Sequence, residues 1–202
     1  MSKTALDIVL LPPSDLRAEC ARLNATLSNT EAISFAEGSK QVPHITLSMA
    51  ASNDTGIPNQ IGEIIAQLTA FPPLRLVVKG IKNHINSEGE TINWLTFEPN
   101  PMLKMLHAKA VGIFPSSETE NFGTSAFAGE GIRDSDLTYL RYFQEQHALD
   151  NYQPHITLGV GNGIIATEWV GKAIWFTDIA IYQLGRYCSC MEEIHTFGLE
   201  GS

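Results

Sequence analysis

The sequence predicts an α+β fold assembled from two similar halves, and three observations carry that expectation. Segments with strand patterning interleave with segments of helical periodicity, in the same order twice. The pentapeptide Pro-His-Ile-Thr-Leu occurs twice, at 43–47 and 154–158, at corresponding places in that order. Proline breakers at Pro12-Pro13, Pro72-Pro73 and Pro99-Asn100-Pro101 divide the segments from one another.

The first half opens with an apolar strand at 6–11, stopped by Pro12-Pro13. Ser14 then caps a helix to about residue 27, with Leu16, Cys20, Leu23 and Leu27 on one face. A polar loop leads to a second strand at 42–49. Residues 53–58 are turn-rich, and Ile61, Ile64, Ile65 and Leu68 mark a second helix. A β-branched strand at 74–78 closes this half.

The second half repeats the order. Residues 91–97 read as a strand and 102–114 as a helix with Leu103, Leu106 and Ala110 on one face. Residues 115–133, rich in Ser, Gly and Thr, read as a long loop forming a rim over a cleft. A further helix is expected at 134–149, the matching strand at 154–160, and a short helical stretch at 164–172. Two strands, 173–184 and 190–199, finish the chain as a hairpin around Gly185. The expectation is a duplicated strand–helix–strand–helix–strand unit, with an insertion in the second copy.

Composition narrows the function. The 202 residues suffice for one domain of two lobes sharing a core. A hydrophobic fraction of 44% and a charged fraction of 17% are ordinary for a soluble protein, and no apolar run matches a membrane span. The amino terminus lacks signal-peptide features, so a cytoplasmic setting is expected. Thirteen Lys and Arg against 22 Asp and Glu give a net charge of −9, with the basic residues scattered singly. That balance disfavours extended duplex nucleic acid, whose binding rests on phosphate contacts, and favours a small nucleotide or an oligonucleotide end. Of the three cysteines, Cys188 and Cys190 lack zinc-knuckle spacing and are expected on one strand face, with a packing role.

The repeated pentapeptide carries the chemistry. On a strand, His44 and Thr46 point to one face while Ile45 and Leu47 point to the other; His155, Thr157, Ile156 and Leu158 behave alike. Two histidines, one neutral and one protonated, form a general base and a general acid near neutral pH. The threonine hydroxyls can donate to phosphoryl oxygens. Duplication could keep such a segment for packing alone, but packing accounts for Ile and Leu and not for two polar side chains.

On these motifs the chain resembles the 2H phosphoesterase superfamily, defined by two His-x-Thr/Ser motifs on strands of a bilobal, pseudo-symmetric α+β fold. That superfamily includes 2′-5′ RNA ligase-like proteins, cyclic nucleotide phosphodiesterases and viral 2′,5′-oligoadenylate phosphodiesterases. The likeness spans the opening strand with its Pro-Pro stop, both motifs and the closing strands. It implies a single domain over 1–202 of two intertwined lobes, with antiparallel sheets lining a central cleft and helices outside. It implies His44 and His155 as catalytic, Thr46 and Thr157 as phosphate-binding, and neither metal nor cofactor. The reaction implied is hydrolysis of a 2′,3′-cyclic phosphate or 2′-5′ bond in a nucleotide, oligonucleotide or RNA end, with ligation as the reverse. Which histidine is acid, and the oligomeric state, the sequence leaves open. Lys40, Arg133, Arg141 and Tyr152 are candidates for a group beside the phosphate, each reading also as a surface residue.

Two competing readings are a non-catalytic module that binds a nucleotide phosphate, and a metal hydrolase with histidine ligands. The second is disfavoured because threonine is a poor ligand and neither pentapeptide contains Asp or Glu. The glycines at 159, 161 and 163 lack the third glycine of a dinucleotide loop, Ile164 standing there. His84 is expected in a turn, His107 and His147 on helices, and His195 on a last strand near the centre. Trp94, Trp169 and Trp175 are expected in the core.

Overall fold

The computed structural model describes residues 2–29, 31–53, 57–114, 121–163 and 166–201. Eight strands and four helices follow in the order β1 (Lys3–Leu11), α1 (Ser14–Asn24), β2 (Ile45–Asn53), α2 (Ile57–Leu68), β3 (Leu74–Ile85), β4 (Thr91–Phe97), α3 (Pro101–Ile113), α4 (Asp134–Gln146), β5 (His155–Val160), β6 (Ala173–Phe176), β7 (Asp178–Leu184) and β8 (Cys190–Gly198). The strands form one antiparallel sheet in the order β6-β3-β4-β5-β2-β1-β7-β8. Between β5 and β2 lies a seam, where the ladder pairs Ile45 with Ile156.

Outward from that seam, β2, β1, β7 and β8 mirror β5, β4, β3 and β6. The first half of the chain thus lends β3 to the opposite lobe, and the second half lends β7 and β8 in return. The sheet is strongly curled. β6 and β7 stand six places apart, roughly 29 Å on a flat sheet at about 4.8 Å per strand, yet Thr177 alone joins them. The in–out alternation slips at that residue: Ile174 and Phe176 are buried, Asp178 is exposed, and Ile179 is buried. The single strand expected over 173–184 is therefore two strands on opposite lobes.

The motif strands are built alike in detail. In β1 against β2 the register jumps from Val9–Thr46 to Ile8–Ser48, and in β4 against β5 from Trp94–Thr157 to Asn93–Gly159. Each strand therefore bulges at the leucine that ends its pentapeptide, and a bulge releases that residue from the ladder. A buried side chain from the opposite half satisfies each released carbonyl. Asn24, at the end of α1, donates to Leu158 O at 2.8 Å and to Ile33 O at 2.9 Å. His107, on α3, donates from Nδ1 to Leu47 O at 2.6 Å, and its Nε2 accepts from Leu149 N at 2.8 Å. Accordingly α1 packs on β5 and α3 on β2, over the largest apolar cluster, which holds Ile45, Leu47, Ile156 and Leu158. Gly159 admits Asn24: a Cβ there would lie 2.6 Å from Nδ2, and its φ of +143° disfavours other residues.

Several expected boundaries move. Pro13 occupies the cap position of α1 and Ser14 is already helical; the helix ends at Asn24, whose side chain turns to β5, and Leu27 stays buried in a following turn. β2 begins at Ile45, because Val42 O is taken by the His44 ring, and it runs on to Asn53. β3 continues past Val78 through a bulge at Lys79-Gly80 and reaches Ile85; its outer part is exposed on both faces, so no alternation marks it. α4 stops at Gln146. Residues 166–172 form turns and not a helix, and 164–165 of that expected stretch lie outside the described residues, as do 54–56 of the expected turn and 115–120 of the expected loop. Cys188 sits in a short helical turn (Arg186–Cys188) before β8, not on a strand with Cys190, though both are buried. Trp175, on the edge strand β6, is 57% exposed. His195 is exposed because β8 is the opposite edge and not a central strand.

Replacing Asn24 with Ala orphans two buried carbonyls at once. Asn24→Ala is expected to lower unfolding stability by about 2–6 kcal/mol, at about 1–3 kcal/mol for each of the two unsatisfied groups. Urea denaturation measures this directly, and an unchanged midpoint would remove the latch from the account.

Candidate active site

The Ile45–Ile156 pairing sets the two pentapeptides side by side and antiparallel. Continued by one residue each way, that register puts His44 opposite Thr157 and Thr46 opposite His155. The four polar side chains lie on the face away from the apolar cluster, and all four line one pocket of about 590 Å³. Its walls come from β3, β4, the segment before β5, and α4, which is the insertion of the second copy.

Both imidazoles are oriented by the same device. His44 Nδ1 lies 2.8 Å from Val42 O and His155 Nδ1 lies 2.7 Å from Gln153 O, each two residues back. A carbonyl can only accept, so Nδ1 carries the hydrogen in both rings, and Nε2 is the free atom. Burial holds the His44 pKa below its usual value. His155 is driven down to about 4 by burial, against its bond to Gln153, with smaller contributions from His44, His84 and His147. The protein surroundings alone therefore favour the neutral form of both rings at neutral pH. A bound anion pushes in the opposite direction, toward protonation.

The sequence reading missed Asp7, which is fully buried on β1. Its Oδ2 accepts from Thr46 Oγ1 at 2.9 Å and lies 3.6 Å from His44 Nε2. Thr46 thus has a partner within the protein, which its reading as a simple phosphate donor did not include. Burial raises the Asp7 pKa well above the usual carboxylate range. The signal was available: Asp7 is the one charged residue in the apolar run 5–11.

An aromatic column was also missed. His84 stacks on Trp94 (4.7 Å between centroids), and Trp94 stacks on His155 (4.0 Å). The long β3 brings His84 there, so it is a strand residue and not part of a turn, and Trp94 lines the pocket and not the core. Lys82 Nζ lies 5.7 Å from the centre of the Trp94 ring and bonds Gln153 Oε1 at 3.3 Å.

The four flanking candidates separate clearly. Lys40 is exposed and pairs with Glu192 at 3.3 Å, and Arg141 lies over Phe122; neither lines the pocket. Arg133 does, but Glu88, Glu90 and Asp136 hold its guanidinium at 2.7–3.0 Å and Tyr187 stacks on it at 3.6 Å. Tyr152 is buried, not a surface residue: it stacks on His107 at 3.6 Å and donates to Thr46 O at 2.9 Å, bracing the first motif from behind.

Asp7, His44 and Cys190 bring three possible metal-ligand atoms within 4.8 Å of one another. The hydrogen bond from Thr46 already occupies Asp7 Oδ2, and burial favours the protonated Cys190 thiol and Asp7 carboxyl, so metal binding there would have to displace both.

A pH scan of thermal stability tests the surroundings of His155. Its pKa is depressed on folding, so its contribution is present above the unfolded value of about 6.5 and is lost as pH falls toward 4. The Tm of wild type should therefore drop more steeply over pH 6.5 to 4 than that of His155→Gln. Parallel curves would contradict the assigned environment.

No protein-family model and no curated protein matches the sequence. Solved structures do match over nearly the whole length. E. coli LigT complexed with ATP is 13% identical, covers 98% of this chain and 99% of its own, and has a TM-score of 0.58. TT0787 of Thermus thermophilus is 16% identical with a TM-score of 0.59, covering 98% and 100%. A further structure described as a phosphoesterase is 15% identical with a TM-score of 0.55, covering 97% and 98%. E. coli LigT is also known complexed with phosphate, with NADP+ and with 3′-AMP. No helix of the described residues is long and apolar enough to cross a membrane. The chain thus has the curled, two-lobed α+β fold shared with LigT, TT0787 and the phosphoesterase structure, with paired His-x-Thr strands at its seam.

Proposed function

We propose that this chain is a 2H phosphoesterase that hydrolyses 2′,3′-cyclic phosphate or 2′-5′ phosphodiester bonds without a metal, His44 and His155 exchanging the protons. The observation that carries this reading is the pairing of Ile45 with Ile156, which turns two His-x-Thr segments onto one pocket. One Nε2 takes a proton from water while the other gives one to the departing ribose oxygen. The hydroxyl of Thr157 donates to the phosphoryl oxygens, where transition-state charge is carried, and Thr46, whose one O–H donates to Asp7 Oδ2, joins it by turning from that carboxyl. Microscopic reversibility opens the ligating direction to the same groups.

Pocket size and charge support a nucleotide, a short oligonucleotide or an RNA end as substrate. About 590 Å³ is within the usual range for one small ligand. Arg133 is neutralised by three carboxylates, which leaves Lys82 as the wall's other Lys or Arg among the described residues. Such a wall suits a nucleotide-sized ligand better than a long nucleic-acid backbone. Phosphate, 3′-AMP, ATP and NADP+ in LigT complexes fit the same ligand class. The exchange of strands between the halves supports one domain over 1–202, and three free, buried cysteines agree with a cytoplasmic setting.

The test is turnover of 2′,3′-cyclic AMP and of a 2′-5′ diadenylate, with a 3′-5′ dinucleotide as control, in EDTA. Hydrolysis should persist in the chelator. His44→Ala and His155→Ala should each lower kcat by about 10²–10⁴-fold with the fold intact, and Thr46→Ala or Thr157→Ala by about 10²–10³-fold. Full turnover in either histidine variant excludes the paired mechanism, and tight binding without turnover by wild type would mark a binding module instead.

A further inference from the structure

We infer that Asp7 is a positioning residue that makes the two histidines unequal, pairing with His44 so that His44 protonates the leaving oxygen and His155 takes the proton from water. The inference rests on the phosphodiesterase reading above. Its ground is a break in the pseudo-symmetry. On β1, Val9 stands opposite Thr46 and Asp7 opposite Met49; on β4, Trp94 stands opposite Thr157 and Ile92 opposite Val160. Ile92 therefore occupies the place that matches Asp7. One histidine has a carboxyl group 3.6 Å from Nε2, and the other has an indole face at 4.0 Å.

The surroundings of Asp7 leave it one basic partner. Cys190 of β8 lies at 4.0 Å from Oδ2, and Cys188, Tyr139 of α4 and Tyr152 are the other titratable groups near it; none is a cation. Oδ1 has no hydrogen-bond partner among the described residues and is buried. A carboxyl left half-satisfied in the interior weakens a fold, and such a conflict with stability marks a functional position. Around His155 stand Trp94, His84, His147 and His44, with Lys82 beyond Trp94; no carboxylate is in ion-pair contact with it among the described residues.

The proton bookkeeping closes. Burial favours the protonated form of Asp7. When a phosphodiester anion enters, the Asp7 O–H bond breaks and an N–H bond forms at His44 Nε2, stabilised by the carboxylate left behind and by the anion. Water loses a proton to His155 Nε2 as its oxygen bonds phosphorus. The P–O bond to the ribose breaks, and the leaving oxygen takes the proton of His44. His155 then releases its proton to solvent and Asp7 regains one, so one water is added per bond broken.

Two measurements test this, and the first needs neither a variant nor catalysis. The ring signals of His44 and His155 are followed by NMR against pH in saturating inorganic phosphate. His44 is expected to titrate above His155 by about one to three pH units, and Asp7→Asn to close that gap. In turnover of 2′,3′-cyclic AMP, Asp7→Asn should lower kcat about tenfold with little change in KM. It should also move the basic limb of the pH profile to lower pH, because the imidazolium acid has lost its carboxylate, while the acidic limb stays in place. A merely structural role would move neither limb. The inference is overturned if His155 titrates at or above His44 in wild type, if the gap survives in Asp7→Asn, or if the acidic limb shifts instead. Should Asp7→Asn not fold, the wild-type order alone decides. Turnover without the gap sinks this inference and leaves the phosphodiesterase reading standing; the gap without turnover of any nucleotide overturns that reading and the acid and base roles with it, leaving only the Asp7–His44 pairing.

Discussion

Everything at the centre of the molecule hangs on the contact between β2 and β5. It is a slender contact, a ladder pairing Ile45 with Ile156 where neighbouring strands pair over several residues. Its strength comes from beneath: the isoleucines and leucines of both pentapeptides are sealed into the same apolar cluster, under α1 and α3. Because side chains alternate along a strand, burying those four residues forces the histidines and threonines up together. A slip of one residue would bury the imidazoles and expose the aliphatic set. Bulges at Leu47 and Leu158, each latched by a side chain from the other half, hold the register against that slip.

The polar face so created is poor in mobile charge. Arg133 is bound by carboxylates that tie the β3–β4 turn to the start of α4, so it shapes the rim and does not attract anions. Burial penalises a charge and so favours the neutral form of both histidines. A substrate anion would itself supply the field that protonates a ring. This joins occupancy to proton readiness with no further device, and it suits a site that handles one phosphodiester at a time.

Much of the fold was legible in the sequence. Apolar alternation and proline stops located all four helices and seven strand segments, β4 matching at both ends, but merged β6 with β7 and added a helical stretch at 164–172 that residues 166–172 do not form. Errors fell where local pattern and tertiary demand diverge. The outer part of β3 has no apolar face, so only its pairing with β4 reveals it. Thr177 and Asp178 interrupt an otherwise apolar stretch at 173–182, and only the pairing order shows that the chain passes there from one lobe to the other. Of the site, the four motif residues were legible as a set that should share a face. The charged interruption at Asp7 was visible, but its place beside His44 was not, nor was the Trp94 column, because both depend on which strand lies beside which.

The sequence alone determined that two like segments exist, which of their side chains share a face, and where the breaks between elements fall. These properties follow from periodicity and backbone sterics, which act over a few residues. Only the tertiary structure decided that the two faces meet, that α4 walls the pocket, and that a buried carboxyl lies beside one histidine and an indole beside the other. The physical reason is that pairing order and curvature are set by burial summed over the whole sheet. A carboxyl on β1 acquires its meaning from β2, a neighbour nearly forty residues along the chain.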